Sequence, residues 1–356
     1  MIIHSKLKDY TVVIEEELGF LLELEEENVQ FVIDKKVYCL YKPYFKNISD
    51  SRLILLNATE ENKIIETALD ICERMTDIPA KRNIKLISIG GGIVQDITGF
   101  VANILYRGIR WVFIPTTLLS ACDSCIGGKT SLNYKKYKNL LGTFYPPDEI
   151  HICTHFFKTL SERDYKSGLG EVVKFNIMAG EGGLENIEKN IDALLRKEKQ
   201  VVHYFIDSSL AYKKKFIEVD EFDRGERIKL NFAHTFGHAV EVVSDYAIPH
   251  GTAVAIGMIM ADSLSVKRGL ISERTIKRSE EVLMKIIEID STALDVDIAD
   301  IIKAMRKDKK QTDYAITVVL RTESDLKIVK DITDEEVLYA VRYFRELYRM
   351  KNEGKK

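Results

Sequence analysis

The sequence predicts an α/β domain with a largely parallel sheet in residues 1–150, followed by a mainly α-helical domain in residues 151–356. Three observations support this prediction. The chain has 356 residues, a length that suits two domains of ordinary size. Short β-rich runs alternate with helical stretches in the first part. After Pro146 and Pro147, long amphipathic helical runs replace that alternation.

The individual elements follow from local composition and periodicity. Runs rich in aliphatic and β-branched residues predict strands at 31–34, 52–56, 84–89, 111–114 and 149–153. Apolar residues at helical spacing predict helices at 61–75 and 97–106. In the second domain the amphipathic runs predict helices at 162–180, 200–218, 228–245, 251–268, 273–289 and 333–349. Two apolar runs, 315–320 and 326–329, predict a pair of strands among these helices.

The composition excludes several classes of protein. Hydrophobic residues make up 46% and charged residues 30% of the chain, with 20 Gly and 6 Pro, which excludes collagen, coiled-coil rods and disordered tails. The formal charge of −3 predicts no nucleic-acid or membrane partner. No apolar run approaches the length of a membrane helix and the first residues lack a signal-peptide core, so we expect a cytoplasmic protein. The five cysteines are typical of reduced thiols.

A glycine triplet suggests a phosphate-binding loop. The predicted strand at 84–89 leads directly into Gly90, Gly91 and Gly92, and a helix follows. Bare backbone N–H groups at a helix N-terminus bind phosphate well, so a dinucleotide pyrophosphate fits here. The spacing does not match G-x-G-x-x-G, and a tight turn alone is an equally good interpretation of the glycines.

The segment 107–147 carries cationic and polar groups among glycines and threonines, in an arrangement expected of loops that hold phosphate. These groups are Arg107, Lys129, Lys138 and Asn139. The same segment contains the C-x-x-C of Cys122 and Cys125. With no second C-x-x-C in the chain, two packed thiols are favoured over a redox pair or a zinc site.

Three of the seven histidines, His234, His238 and His250, lie within 17 residues. His234 and His238 are four residues apart and would share one helix face, so spacing alone makes both of them metal ligands. Upstream, Glu171 would share a helix face with Lys174. Histidines with one carboxylate suit Zn²⁺ or a similar divalent ion, whereas core or capping histidines are the alternative interpretation.

Between about residues 50 and 330 the sequence resembles the dehydroquinate synthase family of sugar-phosphate cyclases. The segments that carry the resemblance include GGGIVQDITGFVA, RGIRWVFIPTTLLSACDSCIGGKTSLN, YKNLLGTFYPP, GLGEVVKF, DRGERIKLNFAHTFGHAVE and PHGTAVAIGM. The resemblance implies a Rossmann-like NAD-binding domain, a helical metal-binding domain, an active site in the cleft between them, and a homodimer. It also implies conversion of 3-deoxy-arabino-heptulosonate 7-phosphate to 3-dehydroquinate and phosphate, with NAD and Zn²⁺ or Co²⁺ as cofactors.

The resemblance also implies roles for individual residues, by position. The metal ligands would be Glu171, His234 and His250, which changes His238 from a ligand to a substrate-side acid/base group. The cofactor would be bound by Asp34, Glu60, Lys63, Gly90, Gly91, Gly92, Asp96, Thr116, Thr117, Lys129, Lys138, Phe156 and Thr159. The substrate would contact Asp123, Lys129, Asn139, Lys174, Lys213, Arg227, Asn231 and His238, with Arg107 reaching the neighbouring subunit. A closing lysine would be Lys309 or Lys310.

The chain departs from the family pattern at three glycine positions, which hold Thr59, Gln95 and Ala233. The departures at Gln95 and Ala233 favour, weakly, a related cyclase that makes another cyclitol, whereas Lys213 and Arg227 favour a substrate with a carboxylate. A metal- and NAD-dependent alcohol or glycerol dehydrogenase is the second alternative, and steady accumulation of NADH would identify it. A non-catalytic NAD-binding protein is disfavoured by the many charged groups, because unused buried charge is costly.

Overall fold

The computed structural model describes residues 1–24, 28–77, 83–135, 137–290, 296–307 and 315–353. The chain forms two compact units. The first comprises Met1–Leu160 and Ile217–Phe222, and the second comprises Ser161–Phe216 and Asp223–Lys356. The predicted domain boundary after residue 150 falls within a strand of the first unit, Glu149–Cys153.

A seven-stranded sheet is the centre of the first unit. Its strands are β1 (Ile2–Ile3), β2 (Tyr10–Glu15), β3 (Val29–Asp34), β4 (Leu53–Leu56), β5 (Lys85–Gly90), β6 (Arg110–Pro115) and β9 (Glu149–Cys153). Their order is β1-β2-β9-β6-β5-β3-β4. Every pair is parallel except β1 with β2. The central strands are apolar because both faces of a parallel sheet are covered, as the full burial of Ile33, Ile87 and Phe113 shows.

Helices α1 (Lys35–Leu40), α2 (Ile65–Thr76) and α3 (Gly92–Ile104) follow strands β3, β4 and β5. This alternation of strands and helices confirms the predicted α/β domain. It also places the ends of β3 and β5, with Asp34 and Gly90, at the carboxyl edge of the sheet, where open parallel sheets bind ligands.

The expectation that the phosphate-directed groups sit on glycine-rich loops is wrong for three of them. Residues 129–144 form an antiparallel hairpin of β7 (Lys129–Tyr134) and β8 (Tyr137–Phe144), so Lys129, Lys138 and Asn139 lie on strands. The residues from Lys129 to Leu132 alternate between more exposed and buried, as in a half-buried strand, before a register shift at Asn133. The glycines Gly127 and Gly128 before it, both with positive φ, turn the chain into the hairpin.

The second unit is mainly helical, as predicted. Its helices are α4 (Glu162–Met178), α5 (Glu181–Leu195), α6 (Lys199–Val219), α7 (His234–Val243), α8 (His250–Lys267), α9 (Glu273–Ile286), α10 (Ile298–Arg306) and α11 (Asp334–Glu353). The final residues of α6 belong to the first unit. The predicted strand pair is confirmed as β10 (Ile316–Arg321) and β11 (Leu326–Ile332). Among the described helices, none combines the length and apolar character needed to cross a membrane.

Candidate active site

Two glycines bring the backbones of helices α4 and α8 into direct contact. A Cβ atom on Gly170 would lie 2.0 Å from the carbonyl oxygen of Gly251, and one on Gly251 would lie 1.7 Å from that of Ser167. Any side chain at either position would therefore separate the helices. Because Glu171 follows Gly170 and His250 precedes Gly251, this close approach brings their side chains together.

Helix α7 adds the third member of the cluster. It begins at His234, directly after Ala233, whose backbone is left-handed with φ of 70°. The same glycine-dependent packing recurs here, since a Cβ atom on Gly257 of α8 would lie 2.3 Å from the carbonyl oxygen of Ala233. The ring of His234 consequently lies beside that of His250, with 5.4 Å between the ring centroids.

The side chains of Glu171, His234 and His250 converge on one point. Glu171 Oε1 lies 3.4 Å from His234 Nε2 and 3.3 Å from His250 Nε2. Ligand atoms about 2.1 Å from a tetrahedral ion are about 3.4 Å apart, so these separations fit a divalent metal. Within the described part of the chain, neither buried oxygen of Glu171 makes a well-formed hydrogen bond. Oε2 lies against the Lys174 ammonium, so a cation bound between the imidazoles would supply the partner that Oε1 lacks.

The two imidazoles are held with Nε2 available as a ligand atom. His234 Nδ1 lies 3.0 Å from the carbonyl oxygen of Phe232, which can only accept, so this nitrogen carries the proton. His250 Nδ1 lies 3.0 Å from Glu241 Oε2, and here too the nitrogen donates. With Nδ1 of both rings engaged as a donor, each ring would offer its Nε2 to a metal, in the arrangement usual for histidine ligands of zinc.

The electrostatics of the cluster favour a bound positive charge. Burial would raise the pKa of Glu171, but the Lys174 ammonium, whose Nζ lies 2.5 Å from Oε2, and the His234 ring hold that pKa well below its usual range. Burial would lower the pKa of His250, whereas the carboxylates of Glu241 and Glu171 raise it to about 10. The carboxylates around the two rings thus favour positive charge at the point where a divalent metal would lie.

His238 belongs to a different group of potential ligands. Its ring nitrogen, a Glu241 oxygen and a His250 nitrogen lie within 4.8 Å of one another, as do the ligand atoms of Glu171, His234 and His250. Neither of these two groups contains both His234 and His238, although spacing alone predicted that pair. The i, i+4 spacing shows that His234 and His238 share a helix face. It does not show which of the two rings contacts the carboxylate of Glu171 on α4.

In the first unit, the glycine triplet forms a close-packed turn at the N-terminus of α3. Gly91 is the N-cap, and no side chain of the described residues caps the helix there. A Cβ atom on Gly91 would lie 3.1 Å from Thr117, and Gly90 accepts a hydrogen bond from the backbone N–H of Thr116 at 2.9 Å. The first-turn N–H groups of α3 are therefore suited to the pyrophosphate of a dinucleotide.

A polar network connects several of the predicted cofactor and substrate residues. The buried ammonium of Lys63 pairs with Asp96 and donates to Asn139 Oδ1 at 2.6 Å. Burial raises the pKa of Asp96, while Lys63 opposes that shift. Lys138 Nζ lies 3.8 Å from Glu60 Oε2. Residues from three separate parts of the sequence, 60–63, 96 and 138–139, thus contact one another beside helix α3, which carries Asp96.

The remaining predicted site residues of the first unit lie on several different elements and differ in burial. Asp34 caps α1 by accepting from the Lys36 N–H at 2.8 Å, and burial raises its pKa. Thr159 Oγ1 forms a hydrogen bond with the hydroxyl of Tyr41 at 2.9 Å. The others are placed as follows: Phe156 is buried, Asp123 is half-buried in the turn Ser120–Ser124, Lys129 is exposed at the start of β7, and Arg107 is exposed with φ of 66°.

Both predicted carboxylate-binding cations are buried in the second unit. Lys213 lies on α6 and is 7% exposed, and Arg227 lies in the 3₁₀ segment Glu226–Asn231 and is 3% exposed. Asn231 ends that segment and is half-buried. The predicted closing lysine, Lys309 or Lys310, lies outside the described residues.

The structure identifies three polar residues to which sequence analysis assigned no role. Glu241 fixes the ring of His250, and its position one turn after His238 was the available signal. Ser131 Oγ lies 3.1 Å from Asp96 and 2.9 Å from the side-chain oxygen of Asn139, while Asn133 Nδ2 donates to Glu60 at 2.9 Å. No local pattern marks Ser131 or Asn133, because their contacts with Asp96 and Glu60 join positions that are distant in sequence.

Comparisons with known proteins agree with this geometry. Residues 53–167 match the model of the 3-dehydroquinate synthase N-terminal domain, and residues 168–311 match that of the C-terminal domain. The 3-dehydroquinate synthase of Clostridium tetani is 39% identical over 328 residues, which cover 90% of this chain and 86% of that protein. The 3-dehydroquinate synthase of Dictyoglomus turgidum is 39% identical over 295 residues, covering 82% of each.

Solved structures show the same fold at lower identity. The 2-epi-5-epi-valiolone synthase of Streptomyces hygroscopicus, solved with NAD⁺ and Zn²⁺ bound, has a TM-score of 0.84 and 24% identity, covering 95% of this chain and 97% of that one. A 2-deoxy-scyllo-inosose synthase, complexed with carbaglucose-6-phosphate, NAD⁺ and Co²⁺, has a TM-score of 0.83 and 22% identity, covering 97% and 99%. The family models and the two 39% identical relatives show that the chain belongs to the 3-dehydroquinate synthase family.

Proposed function

We propose that this chain converts 3-deoxy-arabino-heptulosonate 7-phosphate to 3-dehydroquinate and phosphate, with NAD and a divalent metal ion, Zn²⁺ or Co²⁺, as cofactors. The observation that carries the proposal is the convergence of Glu171 Oε1, His234 Nε2 and His250 Nε2 at 3.3 to 3.4 Å. Family membership supplies the substrate class, a sugar phosphate.

The glycine turn and the three ligands would hold the two cofactors. Glu171, His234 and His250 would bind the metal. The N–H groups at the start of α3, together with Asp34 at the end of β3 and Asp96 on α3, would bind NAD. When bound, the metal polarises the substrate's carbinol oxygen and NAD accepts and returns a hydride, so that NAD is not consumed.

Residues of the chain would then orient the substrate's two anionic groups. We assign the phosphate to Lys129, Asn139, Asn231 and, from a neighbouring subunit, Arg107. Lys213 and Arg227 would bind the carboxylate, because an ammonium and a fork-shaped guanidinium suit that group. His238 would donate or accept a proton at its ring nitrogen during ring opening. Oxidation of the carbinol to a ketone would make the neighbouring C–H acidic. A phosphate held close to that C–H could serve as the internal base for its own elimination.

The proposal includes a homodimer. On the hairpin of the first unit, Tyr134, Tyr137 and Leu140 are 44 to 55% exposed, and a second copy that covered the hairpin would remove this apolar surface from water. Light scattering on the purified protein tests this, and a monomer at micromolar concentration would contradict it. The cytoplasmic location and the predicted lack of nucleic-acid and membrane partners stay predictions.

The test is an assay of the purified chain with the heptulosonate phosphate, a catalytic amount of NAD⁺, and Zn²⁺ or Co²⁺. We expect phosphate release, a product with the mass of dehydroquinate, no net NADH, and loss of activity on chelation. Two outcomes would replace the proposal. Faster turnover of sedoheptulose 7-phosphate, which lacks the carboxylate, would indicate a cyclitol synthase. Steady NADH accumulation would indicate a dehydrogenase.

A further inference from the structure

A buried glutamine connects the N-terminal turn of α3 to the segment that carries Asp123. Gln95 is 3% exposed and forms two reciprocal hydrogen bonds with Ser124. Its Nε2 donates to the Ser124 carbonyl oxygen at 2.7 Å, and its Oε1 accepts from the Ser124 hydroxyl at 2.6 Å. Both polar atoms of the amide are therefore satisfied by one residue on another element.

The segment that Gln95 contacts is an unusual helical turn. Residues Ser120–Ser124 form a single π-helical turn, in which the Cys125 N–H donates to the Ser120 carbonyl oxygen at 3.0 Å. Such turns are rare and occur often at functional sites. Thr117 Oγ1 and Ser120 Oγ, 2.6 Å apart, hold the beginning of the turn. Gln95 holds its end.

The contact also lies against the glycine turn proposed to bind NAD. A Cβ atom placed on Gly92 would lie 3.9 Å from Ser124 Oγ, and one on Gly91 would lie 3.1 Å from Thr117. Gln95 itself precedes Asp96, which pairs with Lys63. One side chain thus links the cofactor side of the first unit to the residue after Asp123.

We propose that Gln95 is a positioning residue, whose amide holds the turn Ser120–Ser124 so that Asp123 keeps a fixed place relative to the N-terminus of α3. The catalytic part of this inference rests on the proposed function, because it takes Asp123 to contact the substrate. In the pattern of the family that the sequence resembles, this position holds glycine, which has no side chain to form the contact.

The physical basis is the cost of misplacing a reacting group. Without the amide, the Ser124 carbonyl and hydroxyl lose buried partners and the π-helical turn can relax. An error of about 1 Å in the position of a reacting group can lower turnover about 100-fold. The N–H groups that would bind NAD belong to the backbone of α3. We therefore expect the affinity of the protein for NAD to be independent of the Gln95 side chain.

The test compares Gln95→Met with Gln30→Met in the full-length protein loaded with metal. Methionine nearly preserves the volume of glutamine and lacks its hydrogen bonds. Gln30 is a matched control, since it is also 3% exposed and donates to a backbone carbonyl oxygen, that of Ser51, at 3.3 Å. Ser124→Ala removes only the hydroxyl partner and provides a second, milder perturbation of the same contact.

Two readouts are measured for each variant. Amide hydrogen exchange of residues 120–125 should become about tenfold faster in Gln95→Met, and unchanged in Gln30→Met. With 3-deoxy-arabino-heptulosonate 7-phosphate, kcat should fall about 10- to 100-fold in Gln95→Met while the KM for NAD⁺ and the metal content stay at wild-type values. Ser124→Ala should shift both readouts in the same direction by less, and its effect should not add to that of Gln95→Met.

Wild-type exchange at residues 120–125 in Gln95→Met, or an equal fall of kcat in both methionine variants, would overturn the inference. If Gln95→Met does not fold, Ser124→Ala decides by the same two readouts, and wild-type values in it would overturn the inference. An inactive wild-type enzyme would refute the proposed function instead, and the exchange measurement would still show whether Gln95 holds the turn.

Discussion

Removal of the Glu241 carboxylate tests the proposed metal centre without altering a proposed ligand. Glu241 Oε2 accepts from His250 Nδ1 at 3.0 Å, which orients the ring so that Nε2 faces Glu171. Loss of such a supporting partner typically lowers metal affinity about 10- to 100-fold, or roughly 1.4 to 2.7 kcal/mol. Glu241→Ala leaves the ring without its partner, so we expect the upper end. Glu241→Gln keeps an acceptor without the charge, so we expect the lower end.

The assay is a competitive titration of Zn²⁺ against a chelator of known affinity, combined with measurement of metal content after purification. Glu185→Ala is the control, because Glu185 pairs with Lys189 on the exposed face of α5 at 2.6 Å, far in sequence from any proposed ligand. We expect wild-type affinity in this control. Zn²⁺ affinities within about twofold of wild type in both Glu241 variants would refute the assignment of His250 as a ligand held by Glu241.

Three further substitutions probe the substrate site and the second unit. Arg227→Ala should weaken kcat/KM for the heptulosonate phosphate about 10- to 100-fold, since a charge-assisted hydrogen bond contributes roughly 1.5 to 3 kcal/mol. Ala233→Gly should raise the free energy of unfolding by up to about 1 kcal/mol, because relief of its left-handed backbone exceeds the entropy cost of glycine. Asp262→Ala should lower that free energy by about 3 to 5 kcal/mol, because Arg321, which bonds Asp262 at 3.2 Å through Nε, stays buried without its counter-ion.

Each of these predictions has a contradicting outcome. Unchanged kinetics with the carboxylate substrate in Arg227→Ala would remove this residue from the substrate site. Chemical denaturation measures the other two. A destabilised Ala233→Gly would show that the buried methyl group outweighs the backbone strain, and a loss below about 1 kcal/mol in Asp262→Ala would show that the pair contributes no more than a surface ion pair.

Local patterns in the sequence were sufficient for most elements of the fold. The apolar β-branched runs before Asp34 and Gly90 and the amphipathic runs of the second unit predicted their strands and helices, because periodicity reports directly which face is buried. The same approach missed the hairpin of residues 129–144. Its lysines and glycines resemble a loop, and only the pairing of its two strands makes it regular structure.

For the candidate site, the sequence by itself determined which residue types are present: a histidine cluster, an acidic residue beside a lysine, and a glycine triplet after a strand. The tertiary structure decided which of them meet. Glu171 joins His234 and His250 because glycines allow α4, α7 and α8 to touch through their backbones. Contacts such as those of Gln95 with Ser124 and of Glu241 with His250 depend on packing between distant or successive elements, which no periodicity in a single segment encodes.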